Sequence, residues 1–342
     1  MFSANSILVS FGELMLRLDC PAGKRLQRTD SLRPFFGGSE ANLSVLLSQL
    51  GIAVRFVSAF PDNAISQAAI DFLKSVGTDT RFVLQRGDRI GIYFTENGNG
   101  IRPSKVIYDR SHSAFSELMP GMIDWNAVFD GASWFHWSGI TPALTKNTAA
   151  VCKEALQIAK QHGMRISADM NYRSTLWKYG TLPSAIMPEL LSYCDVINGD
   201  INTAETYFGI KTDKDTSLEH KFCVCTERLL QQLPSLQVLA MSFRGINDYH
   251  QSTYQAGLWA NKEFSFTPAY IIPQIVDRIG SGDAFMSGLV YSILKNKSPK
   301  QIIHTAAACG ILKHSMEGDV AFLSREEINQ FIENGPINNV IR

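Results

Sequence analysis

Charge of one sign is what this sequence most clearly lacks. Lys+Arg and Asp+Glu number 32 each, so the formal charge at pH 7 is zero. Such a chain has no overall field to draw it to nucleic acid or an anionic membrane, and any anion must be caught by a local cluster. Long hydrophobic runs are missing too: none approaches the roughly 18 residues of a membrane span. The opening "MFSANSILVSFGE" has neither the basic start nor the long apolar stretch of a signal peptide, so a cytoplasmic location is expected. The six cysteines (Cys20, Cys152, Cys194, Cys223, Cys225, Cys309) form no C-x-x-C pair and have no His at ligand spacing. Neither a disulfide framework nor a zinc site is signalled, and buried thiols are expected. No G-x-x-x-x-G-K-[ST] loop, no H-R-D or D-F-G set and no G-x-G-x-x-G at the first βα unit is present, which sets aside P-loop enzymes, protein kinases and dinucleotide-binding proteins. The seven histidines sit in no hydrolase motif.

What is present is an ordinary globular composition, 45% hydrophobic and 19% charged over 342 residues, which predicts one large core with a small appendage. Buried-strand runs at 55–60, 165–170, 194–198 and 237–243 alternate with helical periodicity, the pattern of parallel strands joined by crossover helices. "EANLSVLLSQLG" places Leu43, Leu46, Leu47 and Leu50 on one stripe before a Gly51 cap, and "NTAAVCKEALQIAKQHG" ends likewise at Gly163. Residues 81–110 break this rhythm with period-two alternation and the turn-rich "ENGNG", an antiparallel excursion. With the strand-like 14–36, it predicts a small sheet laid over the main layer as a lid.

The chemistry concentrates in "DRIGSGDAF", Asp277 to Phe285. A strand-like "IIPQIVD" precedes it and helical periodicity follows, so Gly280, Ser281 and Gly282 sit at a helix N-terminus, where free backbone N–H groups form an anion site. Glycine lets the backbone approach a phosphate, and Asp283 lies in the first turn beside the donors. Alone, such an aspartate complements the helix dipole for about 0.3–1 kcal/mol. Placed at a phosphoryl site, it is also a candidate base.

"DRIGSGDAF" resembles D-T-x-G-A-G-D-x-F, the C-terminal signature of the ribokinase-like (PfkB) carbohydrate kinases, and "GGSEANLSVLLSQLG" (37–51) resembles their N-terminal G-G-x-x-x-N signature. The resemblance spans essentially the whole chain. It implies an α/β fold with a mainly parallel central β-sheet flanked by helices, in one domain over 1–342 whose β-sheet lid comes from about 14–36 and 81–112. It further implies ATP and Mg²⁺ as cofactors, Asp283 as general base, Gly280, Ser281 and Gly282 as anion hole, and Gly37, Gly38 and Asn42 as sugar contacts. Lids of this family often pair, so a homodimer is expected, with no nucleic-acid or membrane partner.

Within the family the details are most similar to kinases of an acidic keto sugar, 2-keto-3-deoxygluconate. A carboxylated substrate demands cations, Arg above all for its bidentate geometry. Tyr93, Tyr108, Arg110 and Arg173 meet that demand, and Arg17 stands near the slot where neutral-sugar kinases carry an Asp. "MSFRG" occupies the place of the family's T-L-G along the nucleotide. Ser242 keeps the hydroxyl and Gly245 the glycine, whereas Phe243 and Arg244 depart. For the family's metal-associated N-x-x-E, "GDINTAETYFGI" offers Asn202 with Glu205 or, in the other register, Asp200 with Thr203, so Asp200 and Glu205 are the candidate metal residues. The small residues Ala306 to Cys309 suit either an adenine ring or helix packing. A kinase of a neutral sugar such as fructose, or of a nucleoside, and a sugar-binding protein without phosphoryl transfer stay open as alternatives.

Overall fold

The protein is described by a computed structural model covering residues 7–98 and 102–336. Fourteen strands follow one another among these residues: β1 (Ile7–Phe11), β2 (Met15–Asp19), β3 (Arg33–Gly37), β4 (Ala53–Phe60), β5 (Asp79–Gln85), β6 (Ile92–Glu96), β7 (Lys105–Asp109), β8 (Ala132–Ser138), β9 (Arg165–Asp169), β10 (Val196–Gly199), β11 (Val238–Ile246), β12 (Ser252–Ala260), β13 (Glu263–Phe266) and β14 (Tyr270–Ile272). The large sheet runs β13-β12-β11-β10-β9-β8-β1-β4-β5, with β14 pairing β12. From β11 to β5 every neighbouring pair is parallel, and β12, β13 and β14 add an antiparallel margin.

Helices cover both faces because the strands are apolar on both. On β11, Val238 and Ala240 pack into one cluster with the Ser281–Leu294 and Pro299–Lys313 helices, while Leu239 and Met241 point into the other. Each such side chain fully removed from water contributes about 1.5–3 kcal/mol. The Ser39–Gln49 helix departs from the expected single stripe: every residue from Glu40 to Leu47 is buried, because it is covered by both the sheet and the Ser281–Leu294 helix. Gly51 and Gly163 do adopt the left-handed conformation expected of helix ends. The small residues at 306–309 are consumed in helix packing. A Cβ on Gly288 would come within 2.9 Å of Ala306 Cα and of Cys309 Sγ. All six cysteines are free, and five are buried.

Two sequence expectations need correction. The 81–110 excursion is divided: Asp79–Gln85 extends the large sheet in parallel with β4, and only β6 and β7 join β2 and β3 in a separate four-stranded sheet. That sheet is mixed rather than antiparallel, since β2 and β6 run parallel. Residues 99 and 100 of "ENGNG" lie outside the described residues. The strand expected over 271–277 stops at Ile272, where Pro273 removes a ladder donor, and a loop carries the chain to the Ser281 helix.

Arg17 ties the small sheet to that loop. Its guanidinium is buried and reaches Asp277 at 2.7 Å, Asp19 at 3.1 Å and Asp319 at 3.1 Å, with Nε donating to Thr95 Oγ1. Burial alone opposes its charge, but the carboxylates outweigh that penalty and raise its pKa above the ordinary value. Arg17→Leu should therefore strand buried carboxylates and cost about 3–5 kcal/mol. Breaking the exposed Arg81–Asp79 pair should cost no more than about 1 kcal/mol. Urea denaturation of Arg17→Leu and Arg81→Ala reads both, and equal midpoints would contradict the ranking.

Candidate active site

The loop from Asp277 and the helix that follows build one wall of a cavity of about 290 Å³ at the carboxyl ends of β1, β8, β9 and β11. Gly280 opens the helix at φ 80°, and a Cβ there would fall 1.8 Å from the Asp319 carbonyl oxygen, so only glycine fits. The Ser281 amide is directed to Arg278 O, as is its hydroxyl. The amides of Gly280, Gly282 and Asp283 have no backbone acceptor among the described residues. These, rather than the Ser281 amide, are the donors left for an anion.

Asp283 is held by the opposite signature. Ser39 Oγ donates to Oδ1 at 2.9 Å and Asn42 Nδ2 to Oδ2 at 2.7 Å. Ser39 and Asn42 stand three apart on one helical face, which is why both reach the same carboxylate. The Asn42 side chain, expected on the sugar, is engaged here and in accepting from the Gly38 amide. Behind Ser39 the network continues: Asn171 Nδ2 donates to Ser39 Oγ at 3.1 Å, the Asn171 amide donates to Asp169 Oδ1, and Asn198 donates to Asp169 Oδ2.

Burial dominates the titration of this cluster. It lifts the Asp283 carboxyl above its ordinary range, against the pull of Asn42, Ser39, Arg173 and Arg244. Glu40 is pushed up to about 7, also by burial, with Asp283 adding to it and Ser138 opposing. Asp169 likewise rises to about 7 through burial and the Asp283 charge. Gly12 makes room for the Glu40 carboxyl, since a Cβ there would lie 2.0 Å from Oε2.

Five carboxylates and four arginines line the cavity, yet its effective balance favours anions. Glu13 is consumed by Arg110, and Asp319 by Arg17 and Tyr93. Glu40 and Asp169 are partly protonated near neutrality. Arg173, Arg244 and Arg278 form no ion pair among the described residues, and the charges of Arg173 and Arg244 act on Asp283.

Of the residues singled out by sequence, Gly38, Asn42, Tyr93, Tyr108, Arg110, Arg173, Gly280, Gly282 and Asp283 line this cavity. Gly37 does not line it but packs against Asp319, where a Cβ would meet Cγ at 2.4 Å. Ser281 is buried beneath the turn. Tyr93 donates to Asp319, and its ring lies 5.8 Å from that of Tyr108. Arg110 donates Nε and Nη2 to Glu13 Oε2, which leaves Nη1 and the second Nη2 hydrogen for a ligand. Arg17 lies outside the cavity lining, in the ion cluster described above. Ser242 and Gly245 sit on β11 away from the cavity lining, where Arg244 between them belongs to it. Asp200 caps the Ile201–Phe208 helix by accepting from the Thr203 amide at 3.0 Å, and Glu205 is exposed on that helix. Among the described residues no cluster of His, Cys, Asp and Glu could by itself hold a metal ion.

Sequence reasoning missed Ser39, Glu40, Asp169, Asn171, Glu13 and Arg244. Ser39 and Glu40 stood inside a quoted signature, and the i, i+3 spacing from Ser39 to Asn42 was the available signal. Glu13 had none, because its pairing with Arg110 joins residues 97 apart.

Comparison with known proteins accords with this geometry. A 2-dehydro-3-deoxygalactonokinase of Haloferax volcanii is 28% identical over 331 residues, 96% of this chain and 97% of that protein. A 5-dehydro-2-deoxygluconokinase of Lacticaseibacillus casei is 25% identical, with 97% of each chain covered. Among solved structures, 2-dehydro-3-deoxygluconokinase of Thermotoga maritima superposes with a TM-score of 0.90 at 35% identity, over 96% of this chain and all of that one, and the fold is ribokinase-like. Residues 6–324 match the pfkB family carbohydrate kinases, and the chain belongs to that family.

Proposed function

We propose that this sugar kinase transfers the γ-phosphoryl group of ATP to the terminal hydroxyl of a 2-keto-3-deoxy sugar acid, with 2-keto-3-deoxygluconate giving its 6-phosphate. The observation that carries the reading is Asp283. It is a partly buried carboxylate held by two donors at a helix N-terminus, in a cavity whose unpaired side chains are arginines. The names of the two most informative relatives point to sugar acids of this class, differing as gluconate and galactonate do.

In this mechanism the substrate hydroxyl gives its proton to Asp283 as its oxygen bonds to the γ-phosphorus, while the bond to the β–γ bridging oxygen breaks and ADP departs. Ser39 and Asn42 fix the carboxylate so that its free lone pairs meet the hydroxyl, and the amides of Gly280, Gly282 and Asp283 stabilise charge on the transferred group. Arg173 takes the substrate carboxylate, assisted by Tyr108 and by Nη1 of Arg110. Gly38 lets the sugar approach the backbone. The small sheet acts as the lid that excludes water, and its exposed Val106 and Ile107 suit pairing with a second copy. Ser242 and Gly245 border the nucleotide. Mg²⁺ we assign to the ATP phosphates as part of the substrate, since among the described residues no group of three or more His, Cys, Asp or Glu side chains could hold a metal ion; Asp200 caps its helix and Glu205 is exposed on it.

Three outcomes test the reading. Asp283→Asn should lower kcat by about 10²–10⁴-fold while calorimetry still detects ATP binding. Because burial raises the Asp283 pKa and the base form is the deprotonated one, kcat/KM in the wild type should climb with pH through that raised value, a limb absent from the Asn variant. Near-normal turnover by the variant would refute the assignment. In a coupled ADP-release assay across keto acids, aldonic acids and neutral hexoses, the keto acids should lead, and Arg173→Ala should raise KM for the acid at least tenfold with little change for fructose. A preference for fructose would establish the neutral-sugar reading, and sugar binding without any ADP release a non-catalytic one.

A further inference from the structure

Arg244 lies on the C-terminal part of β11, at a position where the family wording along the nucleotide carries no charge. Its backbone is fixed by antiparallel pairing with Tyr254 of β12. Its guanidinium lines the cavity, and Nη2 stands 3.9 Å from the point where a Cβ on Gly282 would sit. That places a cation directly over the turn whose amides are free. No hydrogen bond or ion pair of the Arg244 side chain occurs among the described residues, although five carboxylates line the same cavity.

We infer that Arg244 is a catalytic residue that binds the transferred phosphoryl group, its planar fork taking two of the equatorial oxygens while the helix amides take the third. This rests on the kinase reading above and adds to it the cation that the amides lack. Neutral N–H donors orient an oxyanion but do not cancel its charge, and phosphoryl transfer depends on both. The other free arginines are less suited. Arg173 follows the Asp169–Asn171 side of the cavity, where it contacts the Tyr172 carbonyl. Arg278 leans away, with Nη2 donating to Ser252 Oγ at 3.4 Å. The guanidinium stands at van der Waals distance from the Gly282 position, 3.9 Å from where a Cβ would sit. The charge of Arg244 also favours the ionised form of Asp283, so one side chain assists both the acceptor of the proton and the group being transferred.

The test compares wild type, Arg244→Ala and Arg244→Lys under saturating sugar acid and ATP. Arg244 is exposed in the free protein, so both variants should keep the wild-type melting temperature. Arg244→Ala should lower kcat by about 10²–10³-fold, the loss of one preorganised donor, with KM for the sugar within twofold, and Arg244→Lys should recover part of it. A kcat within threefold of wild type, or a loss confined to KM for the sugar, would overturn the inference. If the wild type releases no ADP with any sugar, the kinase reading fails separately. The inference then stands or falls on calorimetry: Arg244→Ala should weaken binding of the non-hydrolysable ATP analogue AMP-PNP at least tenfold while leaving AMP within twofold, and equal affinities for AMP-PNP would overturn it.

Discussion

The Asp283 carboxylate accepts hydrogen bonds from Ser39 and Asn42, side chains 244 and 241 residues earlier in the chain. These two contacts fasten the start of one helix to the start of another, and the cavity exists because both starts open on the same space. They also resolve a conflict inside the site. Burial raises the Asp283 pKa, yet a carboxylate buried without donors would be too costly to keep ionised. Two neutral donors hold the charge without cancelling it, as an arginine partner would.

The same economy governs the rest of the cavity. Arg110 and Glu13 neutralise each other, and Arg17 absorbs Asp319 of the cavity wall together with Asp19 and Asp277 outside it. Burial of Glu40 and Asp169 makes them weaker acids. What remains uncompensated is a set of arginines near Asp283, an arrangement suited to an anionic ligand. Arg17 has a second consequence, because its partners lie on a small-sheet strand, on the loop before the Ser281 helix and on the Asp319 segment. The small sheet is thereby tied directly to the loop that leads into the Gly280 turn.

Glycine serves this assembly at two places in particular. Gly280 must take a left-handed φ with its Cα pressed on the Asp319 carbonyl, and Gly12 vacates the volume that the Glu40 carboxyl fills. Both contacts are long-range, so the packing that requires glycine at each position is hidden until its neighbour is known.

The sequence by itself determined the alternation of parallel strands and helices, the helix ends at Gly51 and Gly163, and the glycine turn with its following aspartate. These depend on local periodicity and on backbone conformations that few residues adopt. Tertiary structure decided what the local pattern cannot encode. Asn42 was legible as a signature residue, but its engagement of Asp283 was not. Arg17 and Arg110 were legible as cations, yet their burial against Asp277, Asp319 and Glu13 removes or reduces their availability to a ligand. Residues 81–85 carry the same alternation as the strands of the small sheet, and only pairing with β4 assigns them to the large one. A charge or a strand acquires its role from the partner it meets, and those partners lie tens to hundreds of residues away along the chain.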